Sequence, residues 1–293
     1  MKALVGIDSE GAYAPGLHLL KKIDFPEAEL TLLHACNPAL IYAPFGVPAG
    51  IVAADYMDAA KKAGEACLQR AIEEAAALGC QVHSTVVLEG PAQGLTHYAE
   101  LDKDDLIVVG AHRRNAAQAM FLGSVSRALA IGAKCSVLVG KGEIDHDRPL
   151  KAIFATDHSD YADRALAKLL EMRPRGIESI DVLTAYEIDD YEAALLHMEL
   201  PKLGGMVDEW LEETLCERGN KVSAQLRNAG YGSAVHVKKG KANPMIARSM
   251  KELGADILII GAQGHGFLER LLIGSVSLHQ VVAEPYPVLL LRV

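Results

Sequence analysis

After a run of buried-strand type, Ile257-Leu258-Ile259-Ile260, the chain reads Gly261-Ala262-Gln263-Gly264, then nine residues, then Gly274-Ser275-Val276-Ser277. Glycine lacks a Cβ, so Gly261 and Gly264 allow tight turning, positive φ and close approach of backbone to a ligand. Gly274 stands where a helix would begin. The unpaired N–H groups of a first helical turn, with the helix dipole, favour a phosphate, and Ser275 and Ser277 offer hydroxyl donors to the same anion. No lysine occupies the GxxxxGK[ST] position, so this is not the P-loop of most NTPases. His265, next to Gly264, is within reach of such an anion, although a solvated loop histidine is the commoner use of that residue type.

The same text occurs earlier in the chain. Leu106-Ile107-Val108-Val109-Gly110-Ala111 precedes Gly123-Ser124-Val125-Ser126, and both pieces recur 151 residues later, as 257–262 and 274–277. Upstream, Leu4-Val5-Gly6-Ile7-Asp8 aligns with the segment ending Thr156-Asp157. A period this long means two copies of one unit. The copies differ where it matters: Arg113 stands in the place of Gly264. A side chain there should obstruct the pose that Gly264 allows. Asp8, Gly110, Gly123, Ser124 and Ser126 persist, so a second anion site with Arg113 as a bidentate donor is one reading. A solvated Arg113 is the other.

Positioning these loops requires strands and helices in alternation. In the second copy, apolar runs at about 151–155, 178–185, 233–238, 256–260 and 287–292 are separated by longer helix-like stretches, the pattern of a parallel sheet covered by helices. Continuous apolarity suits strands buried on both faces. The stretch from about 190 to 229 reads as one broken helix or two, interrupted by Pro201 and Gly204-Gly205; its counterpart, 37–79, opens with a Pro- and Gly-rich run. The expected organisation is a first domain at 1–140, a charged surface linker at 141–149 and a second domain at 150–293.

The complete pattern, Gly-x2-Gly-x9-Gly-Ser between a buried strand and a helix, resembles the ATP-binding motif of the universal stress protein family. The resemblance takes in the strand ending Thr156-Asp157 and the closing Pro287-Val288-Leu289-Leu290-Leu291-Arg292. It implies an α/β fold of two tandem doubly wound, five-stranded parallel sheets of order 3-2-1-4-5, like the adenine-nucleotide α-hydrolase group. It implies that Thr156 and Asp157 lie beside the nucleotide and that the backbone of Ala185 meets adenine. Gly261, Gly264, Gly274, Ser275, Val276 and Ser277 would contact ribose and phosphate. Such a topology converges these segments beyond the carboxyl ends of strands one and four. The implied ligand is ATP, or AMP or ADP, and Mg²⁺ would enter through the phosphates and Asp157. Pairing of the halves through their last strands would give a pseudo-two-fold dimer within one chain, with a homodimer of chains and an unidentified protein partner as further expectations.

Whole-chain properties narrow the alternatives. The 293 residues suffice for two ordinary domains. A net charge of −9 argues against nucleic acid, which needs clustered cations. No apolar run reaches 18 residues, so no membrane span is expected, and five cysteines without a CxxC pair fit a reducing cytoplasm. No Gly-x-Ser-x-Gly elbow or HExxH pair exists, and His112, His158 and His236 lack metal-ligand spacing. No catalytic residue is assigned, so enzymatic activity is expected to be at most that of a slow ATPase. A dimerisation scaffold that binds no nucleotide is the third reading.

Overall fold

The computed structural model describes residues 1–36, 54–77, 79, 81–111, 123–142, 144, 147–188, 207–264 and 273–293. In the first half, β1 (Lys2–Ile7), α1 (Ala14–Ile23), β2 (Glu29–Ala35), α2 (Ala54–Ala77), β3 (Val82–Val87), α3 (Pro91–Asp102), β4 (Leu106–Gly110), α4 (Ser124–Gly132) and β5 (Ser136–Gly140) follow one another. The second half repeats them as β6 (Leu150–Ala155), α5 (Asp160–Met172), β7 (Ile177–Tyr186), α6 (Val207–Asn228), β8 (Val235–Lys239), α7 (Ala242–Glu252), β9 (Ile257–Gly261), α8 (Ser275–Ala283) and β10 (Val288–Leu291). The strands agree with the apolar runs to within about two residues. Of the long stretch 190–229, α6 is the described part. Residues 189–206, 37–53, 112–122 (with Arg113) and 265–272 (with His265) lie outside the described residues.

All ten strands form one sheet, in the order β3-β2-β1-β4-β5-β10-β9-β6-β7-β8. Each half is therefore a parallel 3-2-1-4-5 sheet, and the halves meet at the one antiparallel pair, where Val137, Leu138 and Val139 face Leu290, Leu289 and Val288. The chemistry explains the seam. All six of these side chains are fully buried, and a strand apolar on both faces is a poor sheet edge, since its free N–H and C=O groups invite further pairing. Each last strand covers the other.

Helices cover both sides. One face buries Leu17, Leu20, Leu68, Leu166, Leu169 and Leu226 against Phe154, Val182 and Ile259; the other buries Leu95, Leu129, Ile246 and Val281 against Ile153, Leu258 and Leu290. Removal of each such side chain from water contributes on the order of 1.5–3 kcal/mol. One expectation about the linker needs correction. Lys141, its first residue, is not on the surface but 4% exposed, because its ammonium is drawn onto carbonyl groups of the second half, Gln280 O at 3.2 Å and Glu284 O at 2.8 Å.

Candidate functional site

The strand order changes direction between β6 and β9, and the carboxyl ends of these neighbouring strands splay loops to opposite faces. A crevice at that point is the usual ligand position in open α/β sheets. Here it is a cavity of about 850 Å³, in the upper part of the range for small-molecule sites. Its inner wall is apolar, made by Ala155, Leu183, Ile246 and Ile260. Its mouth is polar, with Thr156, Asp157, His158, Gln263, Gly264 and the Gly274–Ser277 turn.

Nine of the ten residues singled out in this half line the cavity: Thr156, Asp157, Ala185, Gly261, Gly264, Gly274, Ser275, Val276 and Ser277. The tenth, His265, lies outside the described residues. Thr156 is buried and accepts the His158 N–H at 3.0 Å, while Asp157 Oδ1 accepts the Ser159 N–H at 3.0 Å. Asp157 itself is exposed to the cavity side. Ala185 remains within β7, in register with Lys238.

Two physical reasons differ from the expectation. None of Gly261, Gly264 and Gly274 has a positive φ. What Gly264 provides is space: a Cβ there would come closer than 3.0 Å to Asp157 Oδ2. Ser277 is not a free donor either. Its hydroxyl is buried and donates to Gly261 O at 2.7 Å, which ties the start of α8 to the end of β9. Ser126 makes the corresponding bond to Gly110 O at 3.2 Å. Ser275 is therefore the hydroxyl of the pair left for a ligand. Gly274 is the N-cap of α8 and has no side-chain cap, so the first-turn N–H groups point out of the helix end without one.

Several cavity residues were not legible in advance. His158 takes up a left-handed backbone (φ 58°) between strand and helix, buried and hydrogen-bonded through Nε2 to Thr184 Oγ1 at 2.9 Å. Arg218 reaches the cavity from α6 and, among the described residues, is its single Lys or Arg lining group. Tyr161 packs beside Gly261, and burial pushes its hydroxyl pKa up, so it stays protonated and donates to Leu291 O at 3.4 Å. Periodicity placed Arg218 and Tyr161 only as helix residues.

The turn that carries Asp157 is closed by Ser159, the N-cap of α5, whose Oγ accepts the Ala162 N–H at 3.1 Å. Ser159→Ala is expected to cost about 1 kcal/mol of stability, as other lost serine caps do; a guanidinium unfolding curve would measure it, and an unchanged midpoint would refute the capping role. The first half has no such cap. Its helix α1 starts at Ala14, which aligns with Asp163, one turn later than α5. The intervening backbone folds inward, so that a Cβ on Gly110 would overlap Ala12 O. Asp8 is engaged by that loop, accepting Glu10 N–H and Tyr13 N–H at 3.0 Å each. Gly123 caps α4 as Gly274 caps α8, with Ser124 at its first position.

The two halves also agree with known proteins. The universal stress protein family model matches residues 1–141 and again 150–292. This chain belongs to that family. A universal stress protein of Mycolicibacterium smegmatis is 24% identical across 99% of this chain and 96% of its own length. Universal stress protein A homolog 2 of Coxiella burnetii is 38% identical over 38% of this chain and 73% of its own. The crystal structure of a universal stress protein from Archaeoglobus fulgidus superposes with a TM-score of 0.66 at 20% identity, covering 99% of this chain and 98% of that one. At that identity the likeness is one of fold. It spans both halves, as the continuous sheet does.

Among the described residues no helix is long and apolar enough to cross a membrane, and no group of three or more His, Cys, Asp or Glu side chains is placed to hold a metal.

Proposed function

We propose that this tandem universal stress protein binds one ATP per chain, in the second half, and acts as a cytoplasmic signalling module rather than as an enzyme. The observation that carries the reading is the single cavity that gathers Thr156, Asp157, Ala185, Gly261, Gly264 and the Gly274–Ser277 turn. Its apolar wall suits a purine, and the bare first turn of α8 suits a phosphate. Asp157, with a cavity-facing carboxylate, is the residue that would hold Mg²⁺ beside the phosphates; the ion supplies charge neutralisation. The boundaries 1–140, 141–149 and 150–293 belong to the same proposal, as does a homodimer of chains. The first half, with its strand end covered by residues 8–13, is not expected to bind in the same pose.

Isothermal titration with ATP, ADP and AMP tests the reading. One site per chain is expected; no heat with any of the three refutes it. Arg218→Ala should weaken ATP binding about 5- to 30-fold, the effect of losing about 1–2 kcal/mol of charge-assisted hydrogen bonding. Affinity equal to that of the wild type would remove Arg218 from the site. Analysis of the nucleotide after long incubation separates binding from slow hydrolysis.

A further inference from the structure

The two helices that open on the glycine-serine turns are finished in the same way at their carboxyl ends. Neither α4 nor α8 has a basic residue in its last turn, where a cation would satisfy free carbonyls and the negative end of the dipole. In both cases the cation comes from the opposite half. Lys141, directly after β5, bonds Gln280 O and Glu284 O at the end of α8. Arg292, directly after β10, bonds Ala130 O and Ile131 O at the end of α4. Lys141 and Arg292 are 151 residues apart, the same offset that relates the two loops, so the exchange follows the pseudo-two-fold axis of the seam.

We infer that Lys141 is a positioning residue for the nucleotide cavity of the second half, contributed by the first half. The inference rests on the ATP reading of that cavity. Helix α8 is nine residues long, about 14 Å from end to end. Its amino end is tied to β9 by Ser277, and its carboxyl end is held by Lys141. The side chain of Gln280, within the same last turn, donates to Asn243 Oδ1 at 3.1 Å and accepts from Tyr286 at 2.5 Å, so the anchored end is a packed polar cluster. Burial lowers the Lys141 ammonium to about 8, against the opposing pull of Glu284. Loss of the anchor releases the carbonyls of the last turn and removes a positive charge from the far end of the phosphate-facing helix. The first-turn N–H groups lose both a fixed direction and part of the favourable potential.

Titration of the full chain with ATP, comparing wild type, Lys141→Met, Lys141→Arg and Lys22→Met, tests this. Lys22 donates to Ile144 O of the linker at 2.9 Å, so it controls for loosened docking of the halves. Lys141→Met is expected to weaken ATP binding about three- to tenfold with stoichiometry unchanged. Lys141→Arg should restore affinity to within about twofold, as an arginine already plays this part at position 292, and Lys22→Met should bind as the wild type does. General destabilisation would not lower the affinity of the folded fraction or be reversed by arginine. Should Lys141→Met fail to fold, Lys141→Gln, which keeps a donor and drops the charge, replaces it with the same expected weakening. Wild-type affinity in the uncharged variant, or equal weakening in Lys22→Met, overturns the inference while leaving the ATP reading in place. Absence of binding by the wild type overturns both.

Discussion

Gly264→Val is expected to reduce ATP affinity by about 100-fold or more while moving the unfolding midpoint little. The cause is local. A Cβ at this position would press on Asp157 Oδ2, and a branched side chain adds two methyl groups on the same side. Asp157 must then rotate away from the cavity or give up the bond in which it accepts the Ser159 N–H. Either movement disturbs the carboxylate and narrows the polar mouth of the cavity, the proposed place of the phosphates. A 100-fold loss corresponds to about 2.7 kcal/mol, comparable with removing a good charged hydrogen bond and adding a steric contact. Stability should be largely preserved, because residue 264 is exposed and outside both hydrophobic layers. Titration calorimetry with a parallel unfolding curve separates the two effects. Binding within threefold of the wild type would show that the space at Gly264 is not what the ligand needs.

Much of the architecture could be read from residue types. The buried runs 257–260 and 288–291 are apolar at every position, which suits strands covered on both faces. The internal repeat supplied the two halves, and the glycine-serine turn supplied the cavity's polar mouth. What escaped was whatever depends on contacts between distant segments. Lys141 reads as part of a charged linker, yet its burial is decided by carbonyls 139 and 143 residues further along. Ser277 reads as a ligand donor, whereas the hydroxyl finds a nearer acceptor in Gly261 O, because the end of α8 rests on β9. At Gly264 the geometry departs from the expectation, since steric room beside Asp157 rather than positive φ is what glycine provides there. The unequal starts of α1 and α5 follow from Glu10 and Ser159 at matching positions: the serine can cap a helix through its side chain, and the first half unwinds by a turn.

Phe154→Ala is expected to lower stability by about 3–5 kcal/mol, the usual cost of deleting a buried aromatic ring. Phe154 is 1% exposed, on a strand flanked by Val182 of β7 and Ile259 of β9. It lies two residues before Thr156, so the variant also asks whether the cavity depends on the core beneath it. The backbone of β6 is held by parallel ladders on both sides, and Thr156 N–H donates to Leu183 O at 3.0 Å independently of the ring. Folded Phe154→Ala protein should therefore bind ATP within a few-fold of the wild type. Ligand at about 100 times its dissociation constant adds about 2.7 kcal/mol to the native state, and that increment should raise the guanidinium midpoints of wild type and variant alike. If ATP stabilises the wild type but not the variant, the site is not carried by the strand ladder, and the core packing under β6 must be setting the position of Asp157.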